Sequence, residues 1–511
     1  MHADAARRRR VAPAPTIMPS PNVALVVLDT ARALDTPVGR APGAPGPETM
    51  PTLSALAADG TAYRRAFATA PWTLPSHASL FTGTYPSTHG AHGDHTSLGA
   101  GHRLLAESFA DSGYETIGVT NNTWITGEFG FARGFETFWK GWQYWQSDTD
   151  MGAVLRASER TEQLRQVADS LLDGNPFVNA VNLAYGGLLQ PTGDDGAART
   201  TDRIAGWLRD RDDDRPFFLF GNLIEPHVEY RPPRECAAPF LPADSSYEEA
   251  RSVRQEPRAY DAGDYELTER DCRLLAALYR GELAYVDRQL DRLRAALRAA
   301  GEWDDTLLVV LGDHGENVGD HGFLGHQYNL HDTVLHVPLV VHGGTYTGGP
   351  TTDRLVQLSD LPTTLLDATG VEDARLRDQS QGRSFHPDAD AEPREVVFAE
   401  YVAPQPSMAR LEERFGDLPE HVRRYDRSLR AIRTGEYKYV RGSDGSEALY
   451  DVRRPPGERR DRSADRPERT RRLRERLAAW RDGLERAAVD QDATVGMTAG
   501  TERRLQRLGY L

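Results

Sequence analysis

The sequence predicts an α/β fold, a large, mostly parallel sheet sandwiched by helices, with a smaller C-terminal antiparallel sheet and helix. Three observations carry this. Short, wholly apolar runs rich in β-branched residues recur along the chain, as in strands buried on both faces. Segments of helical period separate them, the alternation expected of a parallel sheet. Beyond about residue 390 the pattern changes to short strands joined by tight turns.

In chain order, Asn22–Leu28 (NVALVVL) is the first buried strand, and it ends at Asp29. Residues 52–60 read as a short helix, and 76–82 (SHASLFT) begin another that Gly83 stops. Residues 116–120 (TIGVT) and 216–223 (PFFLFGNL) are further strands. Residues 266–300 place Leu274, Leu275, Leu278, Leu283, Val286, Leu290, Leu293 and Leu297 at helical spacing, which predicts a long amphipathic helix. Residues 306–311 (TLLVVL) form a strand just before Asp313, and 337–341 (VPLVV) follow. Strands at 396–402, 428–433, 437–440 and 448–452, with turns at Gly435 and at Ser443-Asp444-Gly445, make the antiparallel sheet. Residues 467–488 read as a helix with a solvated Arg/Glu face. The expected division is a disordered tail over 1–20, a catalytic unit over 21–388 and a subdomain over 389–511. The Asp/Arg-rich stretches 191–214 and 242–264 read as surface insertions.

The 511 residues carry a net charge of -15, which argues against nucleic-acid binding through phosphate neutralisation. No run approaches the roughly 20 apolar residues of a membrane helix, and mean hydropathy is -0.57. The N-terminal Arg7–Arg10 run has no apolar segment behind it, so a signal peptide is not expected and a cytoplasmic location is. Cys236 and Cys272 sit in no metal-binding spacing.

Four segments carry chemistry. Asp29 puts a carboxylate at a strand's carboxyl end, where ligand sites in open α/β sheets gather. Alone, it reads equally well as a helix cap. Thr73 in APWTLPSHASLFTG lies at a helix start, where a Thr is normally a cap. That same position is an anion seat, so its hydroxyl is also placed to attack a bound phosphate or sulfate. Asp313 and His314 follow a buried strand in VLGDHGENVGDH and offer oxygen and nitrogen to one divalent metal. His227 (in IEPH) and His326 (in GFLGHQ) complete the set, although either alone is more often structural.

Taken together, these segments resemble the sulfatase family of the alkaline phosphatase superfamily. NVALVVLDTAR resembles that family's first strand and metal aspartate, and TLPSHASLFTGTYPSTHG its Cys-x-Pro-Ser-Arg-x-Ser-Leu-Leu-Thr-Gly signature. LYRGELAYVDRQLDRL is similar to its central helix, and LGDHGENVGDHGFLGHQYNLHDTVLHVPLVV to its second metal segment. LSDLPTTLLDATG, AIRTGEYKYV, EALYDVRRPPGE and the final RLGYL resemble its late segments, so the likeness spans about residues 21–511. It implies one divalent ion (calcium, manganese, magnesium or zinc) held by Asp29, Asp313 and His314, with Thr73 adjacent or bound to it. It further implies that Arg32 holds the metal carboxylate or the substrate, that His227 protonates the leaving oxygen, and that His326 contacts the anion. Asn122 is a weaker candidate for the same pocket.

The chain departs from the family pattern at three positions. Thr73 stands where sulfatases carry the residue converted to formylglycine, whose hydrate has two hydroxyls: one attacks and the other expels sulfate. Thr73 has one hydroxyl, so a covalent intermediate on it has to be cleared by water, as in related phosphatases and phosphodiesterases. Thr30 stands where many sulfatases have a second metal Asp, and His77 where they have Arg. The expected function is therefore metal-dependent hydrolysis of a small anionic sulfate or phosphate ester through Thr73. The alternatives are a phosphodiesterase or phosphomonoesterase, a transferase of phosphoryl-linked head groups, and a catalytically inactive binding protein. A serine hydrolase is disfavoured, since no Gly-x-Ser-x-Gly follows a strand. Trp142, Tyr144, Trp145 and Tyr230 are candidates either to stack on a substrate ring or to pack.

Overall fold

The computed structural model describes residues 20–141, 194–453 and 457–487 apart from 41, 42, 44, 45 and 195, together with 501 and 505. Nearly all of the expected tail, the aromatic residues 142, 144 and 145, and the final RLGYL lie outside the described residues.

Fifteen strands are present among the described residues: β1 Asn22–Leu28, β2 Thr61–Phe67, β3 Glu115–Thr120, β4 Thr137–Lys140, β5 Phe217–Leu223, β6 Thr306–Gly312, β7 Asn317–Val318, β8 Leu324–Gly325, β9 His336–Val337, β10 Leu339–His342, β11 Thr352–Gln357, β12 Val397–Tyr401, β13 Leu429–Arg433, β14 Tyr437–Gly442 and β15 Glu447–Asp451. The main sheet runs β11-β2-β10-β6-β1-β5-β3-β4, with β9 also paired to β2. Its central pairs, β1 with β5 and β6 and β3 with β4 and β5, are all parallel. β10 is antiparallel to both neighbours. The anticipated strand at 337–341 is split at Pro338, which has no N–H for a ladder.

The apolar character of β1, β5 and β6 follows from their place. Every residue of each is buried, because helices cover both faces of the sheet. The long helix Glu269–Ala300 buries the predicted leucine stripe from Leu274 to Leu297 on one face. It opens with Thr268, whose Oγ1 accepts from Asp271 N while the Asp271 carboxylate accepts from Thr268 N at 2.9 Å. Midway along it, Asp287 accepts from Thr52 N at 2.8 Å and Leu53 N at 3.0 Å, tying down the start of helix Pro51–Asp59.

The four-stranded sheet β12-β13-β14-β15 is antiparallel throughout, and helix Pro467–Asp482 packs on it through Leu473 and Leu477. Three elements exceed the sequence expectation. The stretch 191–214 contains the helix Ala197–Asp210, whose Ile204 and Leu208 are buried against the second core cluster. Strands β2 (TAYRRAF), mostly buried, and β4 (TFWK), half-buried, carry charged residues within them and lack the continuous apolar run of β1.

Candidate active site

The four central strands deliver their chemistry to one edge. Asp29 follows β1, Asn122 lies just beyond β3, His227 lies beyond β5, and Asp313 and His314 follow β6. Parallel neighbours end side by side, so residues nearly three hundred positions apart meet there. Asp29, Asp313 and His314 are fully buried, and their donor atoms lie within 4.8 Å of one another.

Helix Thr73–Thr82 supplies the hydroxyl. Its cap position is Trp72, with no side-chain cap bond, so Thr73 is the first helical residue and its side chain does not cap. Thr73 Oγ1 instead lies 3.2 Å from His314 Nε2 and accepts from Asn122 Nδ2 at 3.3 Å. The tautomer follows from the neighbours. His314 Nδ1 is 2.9 Å from the Gly315 carbonyl, which only accepts, so Nδ1 carries the proton and Nε2 offers its lone pair to the cluster. Thr73 therefore donates to His314 while accepting from Asn122.

The cluster fits a divalent cation. Asp29 Oδ1 and Asp313 Oδ2 are buried acceptors with no hydrogen-bond donor among the described residues. They lie 3.8 Å and 3.4 Å from His314 Nε2. Leaving such acceptors unmatched costs about 1–3 kcal/mol each, and a cation satisfies both. Burial, then the charge of Asp313, raises the Asp29 carboxyl well above its ordinary range. At Asp313, burial is outweighed by His314 and His77, and its carboxyl falls below that range.

His77, one turn after Thr73, donates from Nδ1 to the Thr73 carbonyl at 3.0 Å, and that nitrogen is 3.3 Å from Asp313 Oδ2. Its ring meets Phe131 and Phe220 edge-on at centroid distances of 6.5 Å and 6.0 Å. His77 thus braces Asp313, and its far side meets aromatic rings. His326 packs against His314 at 4.5 Å and His227 at 5.4 Å between ring centroids. His227 Nδ1 donates to Val228 O at 2.5 Å, which fixes the proton on Nδ1. Burial lowers His227 to about 4 and His326 well below the usual imidazole value, so both rings are neutral in the substrate-free pocket.

Arg32 points elsewhere. Its guanidinium binds Asp35, Asp320 at 2.6 Å and the Glu316 carbonyl at 3.1 Å, and it lies 5.0 Å from the Tyr279 ring centroid. It ties the Asp29 loop to the Asp313 loop rather than entering the donor cluster. Tyr230 is fully buried against Tyr279 at 5.4 Å, a packing position.

Two residues of the site were missed in the sequence. Glu316 accepts from His326 Nδ1 at 2.9 Å and Val228 N at 3.3 Å, joining the two histidine segments, and burial raises it to about 8. Its signal was an acid in a buried turn two residues after His314. Asn222 lies beside the Asp29 carboxylate and favours its charged form, and its signal was an amide inside the apolar run of β5. Thr30 has a left-handed φ of 59°, unusual for a β-branched residue, and its N donates to Asp313 Oδ1 at 3.2 Å.

A buried hydroxyl, two carboxylates that each keep one unmatched oxygen, and three imidazoles meet on the carboxyl edge of a doubly covered sheet, an arrangement suited to an ester-bond hydrolase. The sulfatase family model matches residues 21–371, and the chain belongs to that family. An arylsulfatase of Clostridium perfringens is 25% identical over 394 residues, covering 71% of this chain and 77% of the relative. The multifunctional alkaline phosphatase superfamily protein PehA of Trinickia caryophylli is 25% identical over 490 residues, covering 86% and 90%. Among solved structures, a phosphonate monoester hydrolase of Agrobacterium radiobacter superposes with a TM-score of 0.65 at 23% identity, covering 90% of this chain and 95% of that one.

Proposed function

We propose that this protein hydrolyses phosphate- or phosphonate-type esters through a covalent intermediate on Thr73. The observation that carries the reading is the setting of Thr73 Oγ1, 3.2 Å from His314 Nε2 and 3.3 Å from Asn122 Nδ2 at a helix start. Asp29, Asp313 and His314 would hold a divalent ion, with Thr73 beside it. When bound, that ion supplies Lewis acidity to a substrate oxygen and lowers the pKa of the adjacent hydroxyl.

The chain's own residues do the rest. Thr73 gives up its proton to solvent, and its oxygen bonds to phosphorus as the bond to the leaving oxygen breaks. The amide of Asn122, which donates to Thr73 Oγ1, and the positive end of helix Thr73–Thr82 would favour the added negative charge. His227, the most exposed of the three imidazoles at 8%, would hand a proton to the leaving oxygen. An anionic substrate beside it favours the protonated ring that burial alone disfavours. Water then attacks phosphorus, the bond to Thr73 breaks, the proton lost by that water returns to His227, and the released Thr73 oxygen takes a proton back from solvent.

Phosphorus is favoured over sulfur because Thr73 carries one hydroxyl and cannot expel sulfate by collapsing to an aldehyde. The name of the phosphonate monoester hydrolase that shares this fold points the same way. A sulfate ester is the second reading, favoured by the arylsulfatase relative. The test is turnover of aryl phosphate, aryl phosphonate and aryl sulfate by the metal-supplied protein, with acid quenching and mass analysis of the peptide holding Thr73. We expect phosphorylated Thr73 and a loss of at least about 10³-fold in Thr73→Ala. Full activity in Thr73→Ala would sink the reading. Thr73-dependent sulfate release alone would select the second one.

A further inference from the structure

A second group of metal-type donors lies outside the catalytic cluster. His321 and His331 flank the segment that carries His326, and Glu458 comes from beyond the C-terminal sheet. The donor atoms of these three side chains lie within 4.8 Å of one another. His321 and His331 are stacked with ring centroids 3.8 Å apart and planes 11° from parallel. Burial, then the neighbouring His331, lowers His321 to about 4, so its ring keeps a lone pair at neutral pH.

Glu458 is 94% buried, and one of its oxygens is already committed: Oε2 accepts from Asp332 N at 2.5 Å. Oε1 turns toward His331 Nδ1 at 3.5 Å, beyond hydrogen-bond reach. His331 Nδ1 is buried without a hydrogen-bond partner among the described residues. Lys438 Nζ stands 2.8 Å from Oε1 as an ion-pair neighbour and is shared with Asp332 Oδ1 at 3.0 Å. Burial raises the Glu458 carboxyl, but Lys438 outweighs it, so the group is a carboxylate. Asp332 also pairs with Arg433, so the two carboxylates and two cations nearly cancel, and an added ion meets no large net repulsion.

We propose that His321, His331 and Glu458 form a second divalent-metal site that clamps the C-terminal region to the loop bearing His326. Two imidazoles and one carboxylate are a donor set suited to zinc, with a fourth position left to water. The hard-oxygen ions calcium and magnesium are poorly matched. Stacked rings do not aim their in-plane lone pairs at one point, so binding turns one ring. His321, on the solvent side, is the one free to turn. Lys438 competes for Oε1, which weakens binding relative to a site with an uncommitted carboxylate.

The experiment uses the full chain, stripped with chelator and titrated with Zn2+, with bound metal counted by elemental analysis. In an Asp29→Ala/Asp313→Ala background, where the catalytic donors are gone, one Zn2+ per chain should remain and raise Tm. Adding His321→Ala/His331→Ala should abolish both effects. Should the first background misfold, the same pair is removed from the wild-type chain, and stoichiometry should fall from two ions to one. Glu458→Gln should weaken the retained site by at least about tenfold. Co2+ in place of Zn2+ should give visible d–d bands that vanish with the histidines. Unchanged stoichiometry after loss of His321 and His331, or no Zn2+ taken up by a folded Asp29→Ala/Asp313→Ala protein, overturns the proposal.

Discussion

His227 and Thr30 make two separable claims about single side chains. As a proton donor, His227 matters in proportion to how poor the leaving group is. His227→Ala should cost about 10²–10⁴-fold on an alkyl ester and much less on a nitrophenyl ester. Equal losses on both would remove it from that role. Thr30 occupies a backbone position where many sulfatases supply a second carboxylate, and its N already contacts Asp313. Thr30→Asp should tighten divalent-metal binding by about tenfold, because ligand charge sets affinity in oxygen-rich sites. Calorimetric titration of the stripped protein checks this, and an unchanged Kd would mean that residue 30 points away from the ion. The residues best legible in sequence were those with chemistry and position together: Asp29, Thr73, Asp313, His314. Arg32 was legible as a charge near the site, but not as a tether, because its partners Asp35 and Asp320 were ordinary surface acids in one dimension. Glu316 and Asn222 stayed hidden for the opposite reason. Burial, not residue type, gives them their roles, and burial shows only once the sheet is assembled.

Among the elements, the join between the two sheets has a definite electrostatic basis. Asp332 pairs with Arg433 on β13 at 3.0 Å and with Lys438 on β14 at 3.0 Å. Burial would raise its carboxyl, but Arg433 and Lys438 outweigh burial and hold it below the ordinary range. A carboxyl lowered in the folded state contributes fully above its unfolded value of about 3.9 and loses that contribution as pH falls through the folded value. Acid titration should therefore weaken this join below about pH 4. Asp332→Asn should cost about 3 kcal/mol in urea unfolding, since it leaves Lys438 buried without that partner. It should also flatten the acid limb of the stability curve. A variant as stable as wild type at neutral pH would show the join to be held by apolar packing. The strands of the second sheet were readable because short alternating runs and Gly or Asp-Gly turns are local signals. Helix Ala197–Asp210 was not, because its few apolar residues sit among Asp and Arg and gain their face only against the long helix.

For the whole molecule, ion binding at the edge of the sheet should couple to global stability. At about 100 times Kd, an ion that binds only the folded chain adds about 2.7 kcal/mol. Added Mn2+, Ca2+ or Zn2+ should raise Tm, and chelation should reverse it. Scanning calorimetry checks this, and a Tm indifferent to every divalent ion would argue for the binding-protein alternative. The parallel sheet was legible from three apolar runs, whereas its order was not, since β2, β9 and β10 enter by antiparallel pairing that no local pattern marks. That order bears on biosynthesis. β1 lies at the centre, between β5 and β6, yet it is made before either. A ribosome must lay down most of the chain before residues 306–312 emerge to cover its second side. NVALVVL therefore spends much of translation as an unpaired, sticky strand, the kind of segment that chaperones hold and that aggregates when they are scarce. Poor yield on rapid overexpression, relieved by slower synthesis, is the behaviour this strand order imposes.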